Sequence, residues 1–179
     1  GTRENAHLSN FANRPIKIDN SNDLNGIIPQ GNYKNVEAAF QAAKATYSID
    51  LSTEDGYTNK GFEYLEKLEN ATGAQAKRLG RGVKSLDIKA WDEASPRVMK
   101  ELIKQSFEQN PDALQKLLAT GNAELTHKQD KGKWGKLFPK ILMEVRNELR
   151  TEAPAAKKKT FKRGSKSKGI IDNLGKKCD

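Results

Sequence analysis

Apolar residues recur at spacings of three and four along most of the chain, a pattern typical of helices with one buried face. In residues 34–44 the row consists of Val36, Phe40 and Ala43, and Tyr47 continues it. Three later segments repeat the pattern, with predicted inner faces formed by Phe62, Leu65 and Leu68, by Val98, Met99, Leu102, Ile103 and Phe107, and by Phe138, Ile141, Leu142, Val145 and Leu149. The chain is therefore predicted to be mainly α-helical.

Two helix starts are marked by a capping residue followed by proline. Asn110 and Pro111 begin one predicted helix, which ends before Gly121, and Ser95 and Pro96 begin another. Asparagine and serine side chains accept hydrogen bonds from the unpaired N–H groups at a helix start. Proline suits the first helical position because its missing N–H would have no partner there.

The pattern changes between residues 8 and 33. Ile16 and Ile18 alternate with polar neighbours, and a turn-rich segment follows at residues 20–26. Such alternation predicts one or two short strands. We therefore expect a compact single helical domain over residues 1–150, with one or two short strands near its N-terminus.

Positive charge is concentrated at the C-terminal end. The 179 residues carry a net charge of +9, and residues 151–179 hold nine Lys or Arg against three Asp or Glu, a net charge of +6. This segment has no apolar periodicity, so we predict that it is a flexible, disordered basic tail. Such a tail either attracts DNA or RNA without reading its sequence or only keeps the chain in solution.

The composition argues against several classes of protein. No apolar run approaches the roughly 20 residues that span a bilayer, so no membrane partner is expected. The first residues lack the pattern of a secretory signal, and Cys178 is the only cysteine, so we expect a cytoplasmic location. His7 and His127 are too few and too far apart for a metal cluster, and no nucleotide-binding glycine motif is present. We expect no metal and no cofactor.

Three polar residues form a row beside the apolar face of the first predicted helix. Glu37, Gln41 and Lys44 recur at the same spacings as the apolar residues, so a carboxylate, an amide and an amine line up along its edge. Taken alone, the spacing allows two interpretations. The row is either a solvated surface or the wall of a site.

Two other features carry candidate chemistry. The segment "GRGVK" at 80–84 offers backbone donors and Arg81 to a phosphate, or it ends a helix. Trp91 and Trp134 lie in polar, turn-like surroundings, where a tryptophan either borders a ligand or covers the edge of the core.

Seven motifs follow one another along the chain: "LSNF" at 8–11, "VEAAFQAAK" at 36–44, "GRGVK" at 80–84, "WDE...VM" at 91–99, "FEQNPDALQKLLATGNAEL" at 107–125, "KWG" at 133–135 and "ILMEVRNELR" at 141–150. In this order and at these spacings they resemble the NADAR family, the YbiA-like N-glycosidases, from about Leu8 to Arg150. The resemblance implies a compact, mainly helical domain that cleaves N-glycosidic bonds of ribose-containing nucleotides. It implies either removal of ADP-ribose from guanine bases or cleavage of phosphorylated intermediates of riboflavin synthesis.

The resemblance also assigns site residues. The glutamate, glutamine and lysine of the family helix "E-H-x-[YF]-Q-A-x-K" fall on Glu37, Gln41 and Lys44. The family tryptophans fall on Trp91 and Trp134. The remaining matches are the "SNF" turn, at Ser9, Asn10 and Phe11, and an acidic residue before "WG", for which Asp130 is the candidate.

Three features depart from the family pattern. Ala38 replaces the usual histidine. Only "KLFPK" separates Gly135 from Ile141, where the family usually has a Gly/Asn-rich loop. Asp130 lies four residues before Trp134, which is farther than usual. These departures bear on the choice of substrate more than on the type of reaction.

The residue types suit the implied chemistry. Cleavage of a C1′–N bond builds positive charge on the ribose, which the Glu37 carboxylate would stabilise while activating water. Lys44 either pairs with a substrate phosphate or, with a lowered pKa, forms a Schiff base with the opened sugar. Arg81 is the candidate for a phosphate, and the indole rings for stacking on the base.

Two classes of function therefore remain open. The first is an N-glycosidase, with the basic tail holding an ADP-ribosylated nucleic acid, or with a free nucleotide as substrate. The second is a non-catalytic module that binds ADP-ribose or nucleic acid. The combination of Glu37, Gln41 and Lys44 favours the enzyme, and the missing loop after Gly135 favours the binding module.

Overall fold

A computed structural model describes residues 3–127 and 132–164, and the side chains of residues 6–127 and 132–152. By contacts, the chain divides into a unit of residues Gly1–Val145 and a unit of residues Arg146–Asp179. The six helices of the described part are α1 (Val36–Ala43), α2 (Asn59–Glu69), α3 (Gly73–Arg81), α4 (Ile88–Glu108), α5 (Pro111–Ala119) and α6 (Lys133–Gly164). Two 3₁₀ turns lie at Arg3–Leu8 and Lys44–Tyr47. The prediction of a mainly α fold is confirmed.

Four short strands form two antiparallel pairs. Strand β1 (Ile16–Ile18) pairs with β2 (Gly31–Tyr33), with Ile16 opposite Tyr33. Strand β3 (Ser52–Thr53) pairs with β4 (Gly56–Tyr57). The strand prediction near the N-terminus is confirmed, and β1 follows its alternating pattern because Ile16 and Ile18 are buried while the residue between them is exposed.

Helix α1 lies at the centre of the first unit. All eight of its residues are buried, and it packs against α2, α3, α4 and β2. Asn35 caps its start: Oδ1 accepts a hydrogen bond from Ala38 N, and Nδ2 donates to Ala71 O at the entry to α3. The polar residues Glu37 and Gln41 are therefore held inside the protein, where unpaired polar groups are costly.

Helix α4 begins earlier than predicted. It runs unbroken from Ile88, with the Asp87 carboxylate accepting a hydrogen bond from Ala90 N. The predicted start at Ser95 and Pro96 is wrong, since Pro96 lies inside the helix and Ser95 is buried. Asp87 supplies the cap one turn before Trp91, so Trp91 is helical and not part of a turn. The predicted inner face of α4 is confirmed.

The inner face of α2 is rotated relative to the prediction. Leu65 and Leu68 are buried as expected, but Phe62 is 60% exposed, and Gly61 and Tyr64 are buried in its place. A Cβ atom on Gly61 would lie 2.0 Å from Leu51 O, so the helix rests on the preceding loop through this glycine. That close approach turns Phe62 outward, against the edge of Tyr57.

The start of α5 and the buried face of α6 agree with the prediction for the C-terminal part of the domain. Helix α5 starts at Pro111 after Asn110, as predicted, and Gly121 has a φ of +60° just past its end. The expected capping hydrogen bond is absent, because the Asn110 side chain instead donates to Pro15 O and Ser106 O. Phe138, Ile141, Leu142, Val145 and Leu149 of α6 are buried, as predicted.

The backbone of α6 continues through residues 151–164, the first part of the predicted basic tail, which is rich in the helix formers alanine and lysine. Residues 165–179 lie outside the described residues, and the predicted division at residue 150 stays a prediction. Within the described residues no helix combines the length and apolar character needed to cross a bilayer.

Candidate active site

Glu37 and Gln41 form a buried hydrogen-bonded pair on α1. Gln41 Nε2 donates to Glu37 Oε2 at 2.6 Å, as the spacing of one helical turn allows. The two side chains are only 8% and 6% exposed. The interpretation of this row as a solvated surface is therefore wrong, because two of its three members are buried.

Lys44 completes the row where α1 ends. Its Nζ donates to Gly80 O of α3 at 3.2 Å, and the side chain is half-buried. All three members of the predicted row therefore lie along the boundary between α1 and α3. Tyr64 of α2 also reaches this row, with its hydroxyl donating to Gln41 O at 2.6 Å.

Gly80 sets the distance between α1 and α3. A Cβ atom at this position would lie 1.8 Å from Gln41 Oε1 and 2.4 Å from Gln41 Cδ, so no other residue fits unless Gln41 moves. Gly80 lies inside α3 and Gly82 caps its end, which confirms the helix-end interpretation of "GRGVK". Sequence reasoning missed this role of Gly80, although a glycine kept inside a helix often indicates close packing.

The pKa values of Glu37 and Lys44 are shifted in opposite directions, mainly by burial. Burial raises the pKa of Glu37, and the hydrogen bond from Gln41 and the charges of Lys77 and Lys44 oppose the shift. Burial lowers the pKa of Lys44, which the Glu37 charge opposes and the Arg81 charge reinforces. Both groups are thus moved toward neutral pH, where proton transfer is most useful.

Two exposed cations border the row on α3. Arg81, a predicted site residue, is at the end of the helix, and Lys77 lies one turn before it. Lys77 was missed by sequence reasoning, although its spacing of four from Arg81 places both on one side of a helix. Since their charges act on Glu37 and Lys44, both cations belong to the same site.

Aromatic rings line another side of the row. The ring of Phe40, on α1, is 5.1 Å from Trp91 and 5.4 Å from Trp134 between centroids, and Tyr47 is 5.7 Å from Trp91. Both tryptophans lie in the first turn of a helix, α4 or α6, and not in loops as their surroundings had indicated. Trp91 is buried and Trp134 is half-buried, so Trp134 offers the more accessible indole.

The predicted "SNF" turn contacts the start of α1. Asn10 O accepts a hydrogen bond from Glu37 N at 3.1 Å, and Asn10 Nδ2 donates to Met99 Sδ of α4 at 3.3 Å. Ser9 Oγ accepts from Phe11 N within the turn. The backbone of Asn10 is thus fixed next to the candidate catalytic residue.

Arg14 is hydrogen-bonded to the backbone of this turn and of the residues before it. Its Nη1 donates to the carbonyl oxygens of His7 and Ser9, and its Nε donates to Ser106 Oγ at 2.8 Å. The guanidinium carbon lies 4.4 Å from the centre of the Phe107 ring, and the side chain is 4% exposed. Sequence reasoning did not single out Arg14, since surface exposure is the usual state of an arginine.

One of the predicted site residues does not join the row, and another lies outside the described residues. Phe11 packs against Gly73, where a Cβ atom would lie 2.4 Å from Phe11 Cγ, at the opposite end of α3 from Arg81. Asp130 lies outside the described residues. Within residues 3–127 and 132–164, no group of three or more His, Cys, Asp or Glu side chains is arranged to hold a metal ion.

Comparisons with known proteins identify a family and relatives that this chain resembles. A family model described as the NADAR domain matches residues 1–150. Two proteins named N-glycosidase YbiA, one from Shigella flexneri serotype 5b (strain 8401) and one from Shigella flexneri, are each 28% identical over 155 residues, which cover 81% of this chain and 82% of the relative. The NMR structure of the E. coli protein YbiA has a TM-score of 0.58 and 28% identity, with 82% of this chain and 79% of that chain covered.

Proposed function

The chain belongs to the NADAR domain family, and on this premise we propose that it is an N-glycosidase that removes ADP-ribose from guanine bases in nucleic acid. The observation that carries the proposal is the buried Glu37 carboxylate, which lies near the Lys44 amine and Lys77, with Arg81 in turn near Lys44. Cations bind phosphate and indole rings stack on bases. A carboxylate among such groups suits cleavage of a nucleotide at its ribose.

Glu37 has the central role in the proposed reaction. When the C1′–N bond breaks, its electron pair goes to the base and positive charge develops on the ribose. The Glu37 carboxylate opposes that charge and accepts a proton from the water that attacks C1′. Because burial raises its pKa, Glu37 can hold this proton and then pass it to the leaving base, which ends in its neutral form.

Two buried acceptors support a ligand that carries hydroxyl groups. Gln41 Oε1 and Asn10 Oδ1 accept no hydrogen bond within the described residues. Buried polar atoms without partners are rare, and a catalytic role or a bound molecule is among the explanations for them. Ribose hydroxyls are donors of the required kind.

The test is incubation of the full chain with an oligonucleotide that carries ADP-ribosylated guanine and, separately, with free phosphorylated nucleotides. We expect ADP-ribose to be released from the oligonucleotide. Release of ribose phosphate from free nucleotides alone would favour a riboflavin-pathway intermediate as the substrate. Binding without release from either would favour the non-catalytic module.

Two roles fit Lys44, and a trapping experiment separates them. If its amine adds to the C1′ aldehyde of the opened sugar and water leaves, a Schiff base forms, and borohydride reduces it to a stable adduct. The lowered pKa of Lys44 favours this route. We expect mass spectrometry to find the adduct in the parent enzyme and not in Lys44→Ala. No adduct, with weaker substrate binding by Lys44→Ala, would assign Lys44 to a phosphate.

Ligand binding should change the tryptophan fluorescence. Trp91 and Trp134 are the only tryptophans in the chain, and both contact Phe40 beside the candidate catalytic row. We expect the larger change from Trp134, because it is the more accessible of the two. Titration of Trp91→Phe and Trp134→Phe with ADP-ribose measures each contribution. An unchanged spectrum at saturating ligand would mean that both rings only pack against the core.

The basic C-terminal segment supports a polymeric substrate. Replacing Lys157, Lys158, Lys159, Lys162 and Arg163 by glutamine should weaken binding to all oligonucleotides alike. The slope of log affinity against log salt should fall by about 0.7–0.9 for each phosphate contact removed. Mobility shifts over a salt series measure this slope, and turnover of a free nucleotide is the control that should not change. Equal affinities and slopes would exclude a tether and favour the small-molecule substrate.

A further inference from the structure

We propose that Lys77 and Arg81 form a phosphate clamp that selects substrates with a pyrophosphate next to the reacting ribose. This inference rests on the proposed function and adds a substrate requirement to it. It also assigns the phosphates to α3, which leaves Lys44 to act on the sugar.

The first step concerns the position of the two side chains. The buried face of α3 consists of Gly73, Ala76 and Gly80, and it packs against α1. On a helix of 3.6 residues per turn, Lys77 and Arg81 follow the buried positions Ala76 and Gly80 by one residue each, so they flank this face on one side. Their Cβ atoms are about 5–6 Å apart at this spacing. That separation allows both heads to reach one pyrophosphate.

The second step concerns the hydrogen bonds and ion pairs of the two cations. Both are exposed, and within the part of the chain that the structure describes neither forms an ion pair or a side-chain hydrogen bond. Like charges one turn apart destabilise a helix slightly. A doubly charged anion between them would remove that repulsion and form charge-assisted hydrogen bonds with both.

The third step is the comparison with Lys44. Its amine already donates to Gly80 O and is half-buried, so a phosphate there would have to displace a protein contact. Lys77 and Arg81 bind an anion without such a loss. The electrostatic effect of Lys77 on Glu37 and of Arg81 on Lys44 agrees with a clamp at the edge of the reacting groups.

Arg78 provides a matched control on the same helix. It is also exposed, but it borders cavities formed with α2 and the loop before it, next to Glu66 and Lys67 on one side and Asp50 and Lys60 on the other. Arg78 carries the same charge as Arg81 and lies on the same helix, but it lies on the side of α3 that borders α2. A general effect of removing positive charge would appear when any of Lys77, Arg78 and Arg81 is replaced by alanine.

The first measurement is binding of inorganic pyrophosphate to the full chain, which does not depend on turnover. We expect Lys77→Ala and Arg81→Ala each to weaken binding about tenfold, the loss of one charge-assisted contact. Lys77→Arg should retain it, and Arg78→Ala should bind as the parent does. Equal binding by all variants, or an equal loss in Arg78→Ala, would overturn the clamp even if the enzyme proves to be a glycosidase.

The second measurement uses the reaction. With ADP-ribosyl guanine, the two clamp variants should raise KM about tenfold with kcat within a few-fold of the parent. With a ribosyl guanine that lacks phosphate, the rise in KM should be absent, and any change in kcat that follows from the charges acting on Glu37 and Lys44 should be the same for both substrates. An equal rise in KM with both substrates would show a structural role and contradict the clamp. If no substrate is turned over, the proposed function fails, and the pyrophosphate titration still decides the clamp.

Discussion

Glu37→Gln should lower kcat at least about a hundredfold and leave the fold intact. The two side chains have nearly the same shape, and Gln41 can turn its amide to meet the new one, so the buried pair keeps a hydrogen bond. What is lost is the negative charge opposite the developing ribose cation, a contact that typically contributes two to three orders of magnitude. Single-turnover kinetics on the oligonucleotide substrate measure the effect, and circular dichroism checks the fold.

The pH profile gives this prediction a second, independent measurement. The reaction needs ionised Glu37, so the rate should fall as the pH drops through its pKa. Because burial raises that pKa, the acidic limb should lie above the ordinary glutamate range. In Glu37→Gln the residual rate should no longer fall on the acidic side of the pH profile. Turnover within a factor of a few of the parent, with the limb retained, would remove Glu37 from the mechanism.

Gly80→Ala should damage both stability and activity. The new methyl group would overlap Gln41 Oε1, so either Gln41 leaves Glu37 or α3 moves away from α1. Overpacking of this kind costs about 1–3 kcal/mol of the free energy of unfolding. Loss of the hydrogen bond from Gln41 would raise the pKa of Glu37 further, because that bond now holds it down. We expect kcat to fall about tenfold or more at neutral pH.

Two further variants separate this clash from a general effect of alanine in the helix. A Cβ atom on Gly82, two residues later, would lie 3.4 Å from Leu79 O, an ordinary contact, so Gly82→Ala should change little. In a Gln41→Ala background the overlap is absent, and Gly80→Ala should then cost much less than it does alone. Thermal unfolding of the parent, Gly80→Ala, Gln41→Ala and the double variant measures the coupling, and Gly82→Ala is the separate control. Additive effects of the two substitutions would mean that Gly80 and Gln41 do not constrain each other.

Spacing alone predicted five of the six helices of the described residues and the polar row, because both depend on local geometry, whereas α3 was not predicted. The alignment of Glu37, Gln41 and Lys44 is a property of one helix, and the alternation of Ile16 and Ile18 is a property of one strand. The family resemblance turned the row into a candidate site. No spacing within α1 could show that Glu37 is buried, since that requires knowing that α1 packs against α2, α3 and α4.

The errors have a common physical origin in contacts between distant segments. Ser95 and Pro96 have the composition of a helix start, but an earlier cap at Asp87 and burial of Ser95 make the helix continuous. Phe62 fits the apolar period of α2, yet the approach of Gly61 to Leu51 rotates it outward. Local propensity is overridden by packing in both cases. Lys77 and Arg14 were missed because their importance depends on what lies across from them.

The bonds around the candidate site join parts of the chain that are far apart in sequence. Lys44 and Gly80 are 36 residues apart, Asn10 and Met99 are 89 apart, and Arg14 and Ser106 are 92 apart. Contacts with large sequence separation form late in folding, because a long loop must close before they can be made. The candidate site of a chain still emerging from the ribosome is therefore incomplete until Ser106 has been synthesised and α4 has packed against the first fourteen residues.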